Sequence, residues 1–212
     1  MRQDWHPGRH IAIIGPTEAG KSYVTKDLLD LRKYSMLFTL KLEDKTLRRY
    51  KGYHTIRRWA DRRVDQRHVI YHPKIEGLRG MRKLQDECYG MLNSVFTSGG
   101  WAVCFDDLRV VCDQLGMKQD VATMYVFVRS QGTSLIGLYQ RPAYVAKEAL
   151  SQCWFWLVFR ISDREDTIRI AHAASVAPDV LVAMNKQLGQ YDFMLLSRTY
   201  PPLIVRRDRA TE

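Results

Sequence analysis

HIAIIGPTEAGKS, residues 10–22, decides the fold. Ile11 to Ile14 is an apolar run of strand length, and Lys21 to Lys33 places Val24, Leu28 and Leu31 on one helical face. Between them, Gly15-Pro16-Thr17-Glu18-Ala19-Gly20-Lys21-Ser22 fits G-x-x-x-x-G-K-[ST], in the strand–loop–helix setting that this pattern requires. Backbone N–H groups of such a loop, and of the helix N-terminus behind it, point at phosphate oxygens. Lys21 brings a positive charge to the β- and γ-phosphates, and the Ser22 hydroxyl is a Mg²⁺ ligand. Gly15 through Tyr23 are the candidate nucleotide-binding residues. The plain alternative is a chance glycine turn before a helix. Glu18 puts an anion inside the loop, but at a variable position. Its backbone N–H still serves phosphate while its carboxylate points to solvent or to a neighbouring subunit.

Outward from this loop, the totals bound the answer. A chain of 212 residues suits one domain, 1–212, with a full core. No apolar run reaches membrane-spanning length, the longest candidate being Cys153 to Phe159. MRQDWHPGRH at the N-terminus has no apolar signal core, so a cytoplasmic protein with no membrane partner is expected. The four cysteines form no CxxC pair and, with six scattered histidines, no zinc pattern; buried reduced thiols are expected. A net charge of +10 favours a polyanionic partner, nucleic acid first, against the alternative of a generally basic surface.

The remaining chain alternates strands with helices. Strands are expected at Met36–Leu40, Val69–Tyr71, Ala102–Phe105, Leu135–Tyr139 and Trp154–Phe159. A strong amphipathic helix spans Gly77–Ser98, with Leu78, Met81, Leu84, Cys88, Met91 and Val95 on one face. A helix with Val121, Met124 and Val128 on one stripe follows, then a short one near Val145–Ser151. Phe193–Leu196 and Leu203–Val205 make a C-terminal β-hairpin bent at Pro201-Pro202. The pattern is α/β: a mostly parallel central sheet flanked by helices.

A phosphate loop of this kind needs an acidic partner on another strand. WAVCFDDL, residues 101–108, supplies Asp106 to hold Mg²⁺ and Asp107 to orient or deprotonate the attacking water. Alternatively the pair caps the next helix. Guanine readers carry Asn-Lys-x-Asp; here Asn185-Lys186 is followed by Gln187-Leu188, so ATP is preferred.

VRSQGTSLIGLYQRPAYV, QCWFWLVFRISDREDTIRI and LGQYDFMLL extend the pattern to about Ser197. In order and spacing these blocks resemble the FtsK/HerA superfamily of ring-forming DNA-pumping ATPases, P-loop NTPases of the RecA-like/ASCE type. The resemblance implies Gln140 as the polar sensor of the γ-phosphate. It implies Arg129 as an arginine finger acting on the adjacent subunit, with Arg141 and Arg160 as alternatives. Asp107 stands where the family has glutamate, Tyr139 where it has threonine, and Glu18 where it has glycine. The implied activity is ATP hydrolysis coupled to double-stranded DNA translocation, by a homo-oligomeric ring of five or six subunits with nucleotide at each boundary. Small stand-alone cores in this superfamily look most like viral genome-packaging ATPases, which implies a capsid vertex or portal partner and a site of action in the host cytoplasm. The alternatives are an assembly or secretion ATPase moving protein, and a small-substrate kinase, against which Gln140-Arg141-Pro142 argues. In a ring, Glu18 is expected to face a basic group of the next subunit.

For DNA contact the best stretch runs from Leu47 to His68. It holds Arg48, Arg49, Lys51, Arg57 and Arg58, with further arginines to Arg67, interleaved with Tyr50, Tyr53 and Trp59. The alternatives are a solvated face or a subunit interface. Lys118, in the turn Gly116-Met117-Lys118, is a second candidate, projecting into a ring pore.

Overall fold

Short apolar strands joined through helices pair in parallel, because each helical crossover returns the chain to the same end of the sheet. A computed structural model of the chain, describing residues 4–41, 45–77 and 80–207, has this arrangement. The strands are β1 (His10–Ile14), β2 (Ser35–Phe38), β3 (His54–Ile56), β4 (His68–Tyr71), β5 (Ala102–Asp106), β6 (Ser134–Tyr139), β7 (Cys153–Phe159), β8 (Phe193–Ser197) and β9 (Leu203–Val205). They lie in the order β3-β4-β2-β5-β6-β1-β7-β8-β9. β1 to β7 are parallel, and β8 and β9 close the edge antiparallel. Every residue of β1, β2, β5 and β6 is buried, as expected where helices cover both faces of a parallel sheet.

The helices are α1 (Lys21–Leu29), α2 (Met81–Ser98), α3 (Lys118–Phe127), α4 (Glu148–Ser151), α5 (Arg164–Ala174) and α6 (Pro178–Lys186). They divide unequally. Met36, Val103, Tyr139, Trp156 and Met194 share one core with α2 to α6. Ile11, Leu37, Cys104, Leu138 and Leu157 share the other with α1, Trp5 and Tyr50. All four cysteines are free and buried. No helix among the described residues is long and apolar enough to cross a membrane.

Several boundaries differ from the expected ones. α1 stops at Leu29, not Lys33, and Leu31 is 42% exposed. Asp30 ends the helix and is held by the Tyr53 hydroxyl at 2.9 Å, and the chain must then unwind to enter β2. α2 begins at Met81 rather than Gly77, and Leu78 lies outside the described residues. β3 went unpredicted: three residues with two exposed carry no apolar pattern, and only pairing with β4 makes them a strand.

Sequence-distant elements are pinned by His10. The Leu135 N–H donates to His10 Nδ1 at 2.9 Å, so Nε2 carries the proton and donates to the Tyr125 carbonyl at 3.0 Å. One neutral ring thereby ties β1 to β6 and to α3. Burial, the largest influence, and nearby Arg129 lower its pKa to about 4, against the raising effect of the Tyr125 bond. The unfolded chain takes up this proton near pH 6.5, so it binds more protons than the folded one between 6.5 and about 4. Stability from neutral His10 is complete above pH 6.5 and drains away as the pH falls. The expected loss is about 3 kcal/mol by pH 4. Urea unfolding at stepped pH should show this slope in the wild type and a flatter one in His10→Gln; equal slopes contradict it.

Candidate nucleotide-binding site

Because β6 lies between β1 and β5, the loop after β1, Gln140 after β6 and the acidic pair after β5 meet at one edge. Ile14 is in register with Tyr139, and Leu138 with Asp106. Ligands of open α/β sheets bind at such carboxyl edges. The loop leaves β1 through Gly15, whose N–H donates to the Tyr139 carbonyl at 3.1 Å. A Cβ there would lie 2.6 Å from Phe159 Cβ, so only glycine passes. Gly20, at φ 97°, turns the chain into α1 with no side-chain cap, leaving the first helical N–H groups for a ligand. Glu18 takes φ 64°, the left-handed region, which explains why glycine suits this position.

Lys21 Nζ donates to the Gly15 and Pro16 carbonyls at 2.7 and 2.6 Å. Burial, with a smaller effect of Lys41, lowers its pKa to about 8, while Asp106 and Asp107 oppose the shift. Across the cavity, Asp106 is 8% exposed; its Oδ2 accepts from Thr39 Oγ1 at 3.2 Å and pairs with Lys41 Nζ at 2.8 Å. Asp107 sits at φ 105°, rare for a residue with a side chain. Such strain, of order 1–3 kcal/mol, persists only where the surroundings over-determine it, and it clusters at functional sites. The helical segment that runs to Gln114 begins at Leu108, directly after Asp107, and the Val110 N–H donates to the Asp107 carbonyl at 3.2 Å.

Thr17, Glu18, Gly20, Lys21, Ser22 and Tyr23 share a cavity of about 590 Å³ with Asp106, Asp107 and Gln140. Pro16 and Ala19 line a second cleft on the outer side of the loop, with Arg141 and Arg160. Arg141 is engaged within its own chain: its guanidinium grips Asp163 at 2.6 Å and Asp166 at 2.7 Å, at the start of α5. Arg129 follows α3 at the opposite end of β6, exposed and outside both clefts. Arg129 and Arg160 have no ion pair among the described residues. Asn185, the first residue of the Asn-Lys pair, bonds both backbone groups of Ile161, donating at 2.7 Å and accepting at 3.0 Å.

The basic stretch is less open than its composition suggests. Tyr50 is buried, Tyr53 bonds Ser35 and Asp30, and Trp59 packs edge-on to Tyr71 and Trp101. Tyr50 belongs to the core and Tyr53 and Trp59 pack against it, so they are less open to DNA than their place among the arginines suggests. Arg49 lies over the Tyr23 ring at 3.2 Å and bonds its hydroxyl, beside the nucleotide cavity. Arg57 bonds the His72 carbonyl and Arg58 pairs with Asp61, while Arg48 and Lys51 are exposed. In the turn Gly116-Met117-Lys118, Met117 is wholly buried and Lys118, exposed, opens α3. Thr39, Lys41, Tyr191 and Arg207 escaped the sequence reading; the polar Thr39 and Lys41 directly after β2 were the available signal.

No protein-family model matches the sequence, and no curated protein matches it significantly. Solved structures do match. Over 94% of its length the chain is similar to the genome packaging NTPase B204 from Sulfolobus turreted icosahedral virus 2, covering 96% of that chain (TM-score 0.69, 16% identity). The chain has a P-loop NTPase fold. The DNA-packaging ATPase B204 from Sulfolobus Turreted Icosahedral Virus is similar at TM-score 0.68 and 18% identity, with 95% and 98% of the two chains covered. The cytoplasmic domain of the type VII secretion ATPase EccC from Thermomonospora curvata is similar at TM-score 0.60 and 14% identity; 94% of this chain covers 25% of that one. B204 of the first virus is also similar in its complexes with AMPPCP and ATP-gammaS.

An NTPase fold whose Lys21 titrates near 8 has a pH-dependent grip on anions. A polyphosphate raises that pKa, so affinity is level below pH 8 and falls above it, by up to about tenfold per pH unit. Calorimetric titration of ATP from pH 7 to 9.5 should show the fall, with Lys21→Gln binding weakly and flatly. A wild-type profile level to pH 9.5 contradicts it.

Proposed function

We propose that the chain is an ATP-driven motor that packages double-stranded DNA into a viral capsid, working as a ring of five or six subunits. The observation that carries this is the end-to-end likeness to the B204 packaging NTPases, where each chain covers nearly all of the other. The net charge of +10 supports a polyanionic substrate, bound through phosphates without sequence preference. Arg48, Lys51 and Lys118, all exposed, are the remaining open candidates for those contacts.

Triphosphate binding exchanges the Gly15 and Pro16 carbonyls for phosphate oxygens as acceptors of the Lys21 ammonium, while the uncapped N-terminus of α1 receives the anion. Among the described residues no three His, Cys, Asp or Glu cluster as for a metal. Mg²⁺ fits nonetheless, because it takes one or two protein groups together with nucleotide phosphates, and Ser22 and Asp106 line the same cavity. Bound there, it would neutralise part of the polyphosphate charge. Asp107 accepts the proton of the attacking water, and Gln140 orients that water and reads the γ-phosphate. Arg129, outside its own cavity and with no ion pair among the described residues, reaches the nucleotide of the adjacent subunit. Arg141 is unsuited to that task because Asp163 and Asp166 already hold it. Glu18, exposed on the loop, faces a basic group across the same boundary.

Measuring ATP turnover with and without double-stranded DNA, beside negative-stain imaging, tests the reading. Rings with DNA-stimulated turnover are expected. A monomer indifferent to DNA sinks it, and rings indifferent to DNA favour a protein-moving ATPase like EccC. Arg129→Ala should lower turnover about a thousandfold with nucleotide binding intact; retained turnover refutes the finger assignment.

A further inference from the structure

The phosphate-handling groups occupy one side of the cavity. Asp106, Asp107 and Gln140 follow β5 and β6, which lie to one side of β1 in the sheet. Tyr191 and Arg207 line the same cavity from the other side, where the chain turns into β8 and leaves β9. One carboxylate places both. Asp192, 7% exposed, accepts the Gly189 N–H at 2.8 Å, the Arg206 guanidinium at 2.5 Å and the Arg207 N–H at 3.1 Å. The first of these bonds closes the turn Gly189-Gln190-Tyr191-Asp192. The other two dock the strand exit onto that turn. Tyr191 precedes Asp192 in the chain and the Arg207 N–H is bonded to it, so one carboxylate anchors two residues that line the same cavity. The ring lies over the phosphate loop: a Cβ built on Gly20 would be 3.5 Å from Tyr191 Cδ1. The Arg207 guanidinium is turned towards α1, 3.8 Å from Asp27 Oδ2.

We propose that Tyr191 and Arg207 form the nucleobase subsite: the base stacks on the Tyr191 ring, with the Arg207 guanidinium beside it. This rests on the reading of the cavity as a nucleotide site. A triphosphate running from the α1 N-terminus towards Asp106 leaves its nucleoside at the Tyr191 end. Every base has a π-face, so a stacking shelf recognises a base without reading its edge. Asn185, of the Asn-Lys pair that lacks the rest of a guanine-reading pattern, is bonded to Ile161 and does not line this cavity. The subsite therefore accepts purines broadly, and the preference for ATP drawn from the missing guanine reader becomes a tolerance of ATP and GTP alike.

Calorimetric titration of the full chain with ADP, GDP and inorganic tripolyphosphate, in Mg²⁺, tests this. The wild type should bind ADP and GDP within about threefold of each other. Tyr191→Ala should weaken both about tenfold, leave tripolyphosphate unchanged, and be rescued by Tyr191→Trp. Equal loss of tripolyphosphate would mean that Tyr191 acts through the loop, and overturns the subsite. So does unchanged ADP affinity in Tyr191→Ala, or a wild type that separates ADP from GDP more than fiftyfold. A wild type that binds tripolyphosphate with no gain from the base overturns this inference alone. One that binds none of the three overturns the nucleotide reading as well.

Discussion

Parallel pairing of β1 with β6 on one side and β7 on the other is the constraint on which the rest depends. Buried on both faces, β1 cannot slip by one residue without exchanging Ile11 and Ile13 for Ala12 and Ile14 between two differently packed cores. That register sets Gly15 against Tyr139 and Phe159, and so aims the loop. Inserting β6 between β1 and β5 opens a one-strand gap between the loop and Asp106. Gln140, directly after β6, lines the cavity that occupies this gap.

Electrostatics then tune what the topology has gathered. Lys21 and Lys41 both influence Asp106, from the loop and from the end of β2. Desolvation makes the Lys21 charge costly, and the carboxylates restore part of it. Lys21, Lys41 and Arg207 against Glu18, Asp106 and Asp107 leave the cavity lining close to neutral before a polyphosphate enters. Thr39 fixes the Asp106 rotamer, so this balance is preorganised rather than improvised on binding.

The phosphate loop and the acidic pair were legible because each is local: an apolar strand, then a short polar block with one geometric solution. Gln140 became legible only through resemblance, since a glutamine at a strand end carries no signal of its own. Tyr191 and Arg207 were not legible, because the pairing of Phe193 with Val205 and the hydrogen bonds of Asp192 bring residues 191 and 207 together across a hairpin. The basic stretch misled in the opposite direction. Composition counts Tyr50, Tyr53 and Trp59 as aromatics among arginines, yet packing against Tyr71, Trp101 and Asp30 turns them inward. The trans role proposed for Arg129 comes from the resemblance; the fold adds that Arg129 is exposed and lies outside its own nucleotide cavity.

Glu18 in its left-handed backbone has a thermodynamic consequence. Holding a side-chain-bearing residue there costs the folded loop about 1 kcal/mol. Glycine would remove that strain but would give the unfolded chain more freedom, worth roughly 0.4–1 kcal/mol against folding. The two effects nearly cancel, so global stability is almost indifferent to which residue stands here. The carboxylate is thus a choice made at no cost to the fold, and whatever selects it acts on the rim of the cavity.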